Sequence, residues 1–102
     1  MSRRTAAAVV ARTGNLFADF GFPYVEAENL LLRSRLMSEI RKVARGLGKS
    51  RAARRLGVPQ SRLDELLRGE IDEFSIDALI NMLSEAGMRV ELRVKKSRPT
   101  PA

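Results

Sequence analysis

Four polar residues between positions 60 and 68 have side chains that can hydrogen-bond to the edges of nucleic-acid bases. Their spacing places them on the outward face of one helix: Gln60, Ser61, Asp64 and Arg68. In the major groove of DNA, glutamine can pair bidentately with adenine and arginine with guanine, and a carboxylate can accept from the cytosine amino group. That chemistry requires a short helix with one face packed on the protein and the other face free to enter the groove.

The residues from 49 to 67 predict two short helices joined by a Gly-Val-Pro turn. The first runs from about Lys49 to Leu56 and the second from about Gln60 to Leu67. Each is shorter than the roughly 12 to 15 residues that an isolated helix needs, so the two helices must pack on each other. Close crossing needs a small residue, a turn residue that tolerates positive φ and a branched apolar residue, and these are Ala53, Gly57 and Leu63. The spacing is that of a DNA-binding helix-turn-helix; an ordinary helical hairpin with exposed arginines is the alternative.

Basic residues are concentrated in the same part of the chain. The whole sequence has 19 Lys and Arg against 12 Asp and Glu, for a net charge of +7. Residues 33–68 alone hold eleven basic and three acidic residues, whereas residues 69–87 hold five acidic residues and no basic one. A basic surface of this kind favours a polyanionic partner, and double-stranded DNA is the one that suits the paired helices. Within this block we expect the phosphate contacts to come from Lys49, Arg51 and Arg62.

Composition excludes several classes of function. The chain has no cysteine and no histidine, so disulfides, zinc fingers, thiolate nucleophiles and imidazole catalysis are ruled out. Its carboxylate clusters, Glu26-x-Glu28 and Asp72-Glu73 with Asp77, stand beside predicted helix starts, where acidic residues favour the helix dipole. No apolar stretch approaches the ~18 residues of a membrane span. We expect a soluble, cytoplasmic protein that does not bind membranes, is not an enzyme and holds no cofactor or metal.

Further helices are predicted on both sides of the short pair. Residues 15–24 contain four of the five aromatic residues, and an amphipathic helix follows from Glu26 to about Leu47. Ser75 is predicted to cap a last helix that ends at Gly87, with a buried stripe of Ile76, Leu79, Ile80 and Leu83. The resulting organisation is a flexible N-terminal arm at residues 1–14, a domain at residues 15–95 and a tail at residues 96–102.

Residues 88–95, MRVELRVK, alternate apolar and charged side chains in the pattern of a β-strand. The sequence contains no second alternating run of comparable length, so this strand would have no partner within the chain. Antiparallel pairing with a second copy across a two-fold axis would supply one. We therefore expect a homodimer in which Val90, Leu92 and Val94 face the helices.

Three stretches of the sequence resemble the XRE-type helix-turn-helix regulators, which include the HigA-like antitoxins of type II toxin-antitoxin modules. They are NLFADFGFPYVEAENLLLRSRLM, AARRLGVPQSRLDELLRG and IDEFSIDALINMLSEAG, and the resemblance covers about residues 15 to 94. It implies a mostly α, lambda-repressor-like domain of five helices that dimerises and binds a palindromic operator in its own promoter. It also implies a partner, a small basic ribonuclease toxin encoded beside it.

Three functions remain open at this stage. The first is an autoregulating antitoxin, which binds both DNA and a toxin. The second is a stand-alone XRE-type transcriptional repressor without a toxin partner. The third, a basic RNA- or ribosome-binding module, is disfavoured because the aromatic residues at 17–24 lie outside the basic block and cannot stack between bases there.

Overall fold

Five α-helices make up most of the structure, a computed structural model that describes residues 15–96. They are α1 (Leu16–Asp19), α2 (Tyr24–Ala44), α3 (Lys49–Leu56), α4 (Gln60–Leu67) and α5 (Ile76–Glu85), with a turn of 3-10 helix at Ile71–Glu73 before α5. The mostly helical, five-helix fold expected from the sequence is confirmed. Residues 1–14 and 97–102, which include the predicted arm and most of the predicted tail, lie outside the described residues.

Helices α3 and α4 are joined by a tight turn that requires glycine at its centre. Gly57 has a φ of 73°, in the left-handed region that side chains disfavour. The N–H of Val58 donates to the carbonyl of Ala53 at 3.0 Å and so satisfies a carbonyl left free at the end of α3. A Cβ atom at position 57 would lie 2.9 Å from Cγ of Glu85. A side chain at position 57 would therefore have to displace the side chain of Glu85 on α5.

One apolar core holds α2, α3, α4 and α5 together. Its largest fully buried side chains are those of Phe74, Ile40, Leu56, Leu63, Leu66 and Leu79. Gly48 and Pro59 precede α3 and α4 without supplying a side-chain cap, so packing has to stabilise two helices that are too short to form alone. Burial of apolar surface, at about 25 cal/mol per Å², is the source of that stability.

Helix α5 begins at the cap that the sequence predicts. Ser75 Oγ accepts a hydrogen bond from the N–H of Ala78 at 3.1 Å. Of the predicted stripe, Leu79 and Leu83 are buried and Ile76 and Ile80 are half-buried. At the other end, Arg55 of α3 donates to the carbonyl of Ala86 at 3.4 Å. The beginning of α5 is thus capped by its own side chain, and its end is tied to α3.

Helix α1 packs on the N-terminal part of α2 and forms a smaller unit beside the main core. Asn15 caps α1 by accepting from the N–H groups of Phe17 and Ala18, and its Nδ2 donates to Oε2 of Glu28 at 2.7 Å. The rings of Phe17 and Phe22 meet edge to face with centroids 6.0 Å apart. Several large apolar side chains of this region remain exposed: Phe20, Phe22, Tyr24, Val25 and Leu32.

The predicted C-terminal β-strand is not found in the described part of the chain. Residues 88–96 form neither helix nor strand, and Leu92 and Val94 are 86% and 83% exposed instead of facing the helices. The physical reason is that a strand is defined by hydrogen bonds to a neighbour, and no other segment among residues 15–96 pairs with this one. Alternation of side chains is therefore present, but the ladder that would make it a strand is not.

Candidate nucleic-acid interface

Helix α4 has one face in the core and the opposite face in solvent. Leu63 and Leu66 are completely buried, whereas Gln60, Ser61 and Arg68 are exposed. Asp64 lies on the same outward face, with one third of its side chain exposed. The structure therefore brings together all four residues that we predict to read bases.

The buried face of α4 crosses α3 at small and branched residues. Ala53 is 3% exposed and Leu63 is fully buried, and both belong to the same core cluster as Leu56 and Leu66. The small side chain at 53 allows the two helix backbones to approach, and Gly57 reverses the chain between them. A hairpin of this kind holds the outward face of α4 in one orientation.

A lysine of α3 reaches across to α4. Lys49 Nζ lies 2.8 Å from Oδ1 of Asp64, and the two side chains are 60% and 33% exposed. Lys49 is the first residue of α3 and Asp64 the fifth of α4, so the ion pair bridges the two helices on the solvent side. Lys49, which we predict to contact a phosphate, is therefore paired with Asp64, which we predict to read a base.

Arg68, just beyond the end of α4, is also paired with a carboxylate. Its Nε donates to Oε2 of Glu70 at 2.6 Å. The hydrogen bond and the charge of Glu70 raise the pKa of Arg68 above its ordinary value, and the charges of Asp64 and Glu65 add to the rise. DNA that contacts Arg68 therefore has to compete with Glu70 for the guanidinium.

Arg62 is held on the protein surface by three contacts. Its guanidinium lies 4.1 Å from the ring centre of Phe74, Nη1 is 2.8 Å from Oε1 of Glu65, and Nη2 donates to the carbonyl of Glu73 at 2.6 Å. Only about a third of the side chain, 34%, is exposed. This arrangement joins α4 to the turn before α5, which is a different use of the residue from the phosphate contact predicted for it.

Other basic side chains are better placed than Arg62 to contact DNA phosphates. Arg51, the third predicted phosphate ligand, is exposed on α3, and none of the ion pairs among residues 15–96 includes it. An open cleft beside α4 is lined by Arg41, Arg45 and Lys49 together with apolar side chains such as Leu63 and Leu67. A DNA backbone that approaches α4 meets cations on the neighbouring helices.

Residues 16–95 match a protein family described as "Helix-turn-helix domain". This match spans most of the chain and includes α3, the turn and α4. The protein belongs to this helix-turn-helix family. Membership indicates a DNA-binding regulator, in agreement with the outward polar face of α4. No curated protein gives a significant match to the sequence.

The helix-turn-helix also depends on residues that sequence reasoning missed. Arg41 of α2 donates to the carbonyls of Leu66 and Leu67 at 3.2 and 3.4 Å and so caps the end of α4. Arg33, also of α2, donates to the carbonyl of Ile71 at 3.0 Å. These arginines are 25 to 38 positions from the residues they contact, and the sequence carries no signal that distinguishes capping from DNA contact, because both uses need the same side chain.

The described residues form neither a metal-binding cluster nor a membrane-spanning helix. Across residues 15–96, no group of three or more acidic side chains is arranged to hold a metal ion. Within the same range, no helix is long and apolar enough to cross a membrane.

Proposed function

We propose that this protein is a sequence-specific transcriptional repressor that binds double-stranded DNA without catalysing a reaction. The observation that carries the proposal is the two-faced α4, which buries Leu63 and Leu66 and exposes Gln60, Ser61 and Arg68. Glutamine and arginine have the side-chain geometry for bidentate contacts with adenine and guanine. The direct test is binding of the full chain to the DNA upstream of its own gene, compared with DNA of random sequence.

We further propose that the protein represses its own promoter by placing two copies of α4 on a palindromic site. We propose that it does so as a homodimer joined through residues 88–94. Support comes from exposed apolar side chains at alternate positions, Val90, Leu92 and Val94, and from a backbone without a partner among the described residues. Simultaneous binding to both half-sites of a palindrome requires the two recognition helices to lie about 34 Å apart, one turn of DNA. Sedimentation of the full chain at micromolar concentration measures the mass directly.

We further propose that the repressor is also an antitoxin for a small basic ribonuclease. Support comes from the resemblance described above and from the surface formed by α1 and the start of α2. Residues 15–32 contain no Lys or Arg, and Phe20, Tyr24 and Val25 are exposed there. Apolar side chains in a region free of basic charge suit a basic protein partner better than they suit DNA.

Co-expression with the product of the neighbouring short gene tests the antitoxin role. The expected result is that the product arrests growth when expressed alone, and that growth returns when this chain is present. The variant Val25→Lys places a cation on the proposed surface and should reduce the rescue while DNA binding persists. Failure of every neighbouring product to arrest growth would leave a stand-alone repressor without a toxin partner.

A further inference from the structure

Asp64, at the centre of the exposed face of α4, carries a negative charge that is already paired with a lysine. Asp64 stands four residues after Gln60 and four before Arg68, so the three side chains form one row along the helix. Its carboxylate holds the ammonium of Lys49 at 2.8 Å. Glu70 holds Arg68 in a similar way at 2.6 Å. Lys49 and Arg68 are therefore both paired with a carboxylate, although residues 33–68 as a whole are strongly basic.

This arrangement affects random DNA and a matching site differently. Phosphates are present in both kinds of DNA. They repel the carboxylate of Asp64, and Lys49 cannot neutralise them while it is paired with that carboxylate. Only a matching site offers a base that compensates the carboxylate, because the cytosine amino group donates a hydrogen bond in the major groove. A residue that opposes the wrong partner more than the right one raises specificity without raising affinity.

We propose that Asp64 is a specificity-determining residue that restrains binding to non-operator DNA by holding Lys49. At the operator, Lys49 moves from Asp64 to a backbone phosphate and Asp64 accepts a hydrogen bond from a cytosine amino group. This inference rests on the proposed DNA-binding function. It implies a C·G pair in each half-site, located between the base pairs that Gln60 and Arg68 contact.

The Lys49–Asp64 pair is suited to such an exchange. Both side chains are partly exposed, at 60% and 33%, and pairs of this kind contribute little to stability. The lysine ammonium is a point charge on a flexible stem and can follow a new anion. Arg62 differs, because a ring, a carboxylate and a carbonyl hold it at once. Lys49 can therefore exchange Asp64 for a DNA phosphate, whereas Arg62 is fixed to the protein and stabilises the fold.

The test compares the full chain with Asp64→Ala on two probes: duplexes that the unmodified protein enriches from a randomised pool, and the unselected pool. Released Lys49 should bind one more phosphate of the pool DNA, so the slope of log affinity against log salt should steepen by about 0.9. On the enriched duplex the slope should stay unchanged, because Lys49 already contacts a phosphate there. Affinity should rise about threefold on the pool and fall about fivefold or more on the enriched duplex.

Three further variants make the result specific to this pair. The double variant Asp64→Ala/Lys49→Ala should return the pool slope to its original value. Glu39→Ala removes the same charge and frees Lys42, its partner at 3.0 Å on α2, and should leave the selectivity between the two probes unchanged. Asp64→Asn keeps the shape of the side chain and should steepen the pool slope as the alanine variant does, which guards against an effect of misfolding.

Two results would overturn the inference and separate it from the proposed function. If the protein enriches a sequence but Asp64→Ala shifts both probes by the same factor, Asp64 does not determine specificity and the repressor proposal stands. If the unmodified protein enriches no sequence from the pool, the proposed function and this inference fall together.

Discussion

The helix-turn-helix body and the C-terminal segment are built from similar apolar residues but bury them to very different extents. In the body, Leu63, Leu66 and Leu79 are completely buried against neighbouring helices. In the segment, Leu92 and Val94 are more than four fifths exposed. The difference is that α4 shares one core with α2, α3 and α5, whereas residues 88–96 pair with no other segment among the described residues 15–96. A periodic pattern therefore identifies which side chains share a face, and a partner decides whether that face is buried.

The largest contrast between the two regions should appear when leucine is shortened in each. Leu63→Ala removes a fully buried side chain and should lower the free energy of unfolding by about 2–5 kcal/mol. The matched variant Leu92→Ala, at a position that is 86% exposed, should change it by no more than about 0.5 kcal/mol. Urea denaturation followed by circular dichroism measures both values. Equal losses would mean that the C-terminal segment packs on the body.

A smaller loss is expected in the turn between α3 and α4. Gly57→Ala puts a side chain at a φ of 73° and 2.9 Å from Cγ of Glu85, and should destabilise the fold by about 1–3 kcal/mol. Gly87→Ala is the matched control, because Gly87 has a φ of 84° but nothing within 4 Å of the added atom. Its loss should be smaller, since only backbone strain acts there. If the two glycines gave the same loss, the contact with α5 would play no part.

Arg62 and Arg51 should separate a structural arginine from a DNA-binding one. Arg62→Ala removes the stacking on Phe74 and the hydrogen bond to Glu73, and should lower stability by about 1 kcal/mol because the group is partly exposed. It should leave the salt dependence of DNA binding unchanged. Arg51→Ala should leave stability unchanged and reduce the salt slope by about 0.9, the contribution of one phosphate contact. If Arg62→Ala reduced the salt slope and Arg51→Ala did not, Arg62 would be a phosphate contact, as the sequence predicts.

Sequence reasoning located α2 to α5 and the outward face of α4 because these depend on local pattern, whereas a fifth helix, found as α1, was expected only from the family resemblance. The bounds of α3 and α4 follow from their apolar spacing and from Gly57, and the start of α5 follows from Ser75. The ion pair between Lys49 and Asp64 was out of reach, since fifteen positions separate the two residues and only the crossing of two helices brings them together. The position of Arg62 on Phe74 depends likewise on where the turn before α5 passes α4.

The strand prediction for the C-terminal segment failed for a related reason, because a strand also depends on a partner that the local sequence does not specify. The alternation of residues 88–95 is a genuine local pattern, but a strand needs a second backbone, and the sequence pattern does not say whether another copy provides it. Its backbone is unpaired in the described part of the chain, and its apolar side chains are exposed. The proposed homodimer would supply that second backbone.

The smallest effect on folding, and the most direct test of the proposed dimer, should come from Leu92→Glu. Because Leu92 is 86% exposed, the substitution should change the stability of the single chain by no more than about 0.5 kcal/mol. In a paired segment, however, the carboxylate would lie opposite the apolar side chains of the second copy and would prevent close packing. Arg93→Gln makes the same change in net charge on the opposite face and is the matched control.

Sedimentation should show a monomer for Leu92→Glu and a dimer for Arg93→Gln. Affinity for a palindromic site should fall about 100-fold in the first variant alone, because the second half-site is no longer bound by a linked domain. A Leu92→Glu protein that still sediments as a dimer would place the interface on another surface, and a monomer at full affinity would show that a single α4 is sufficient for operator binding.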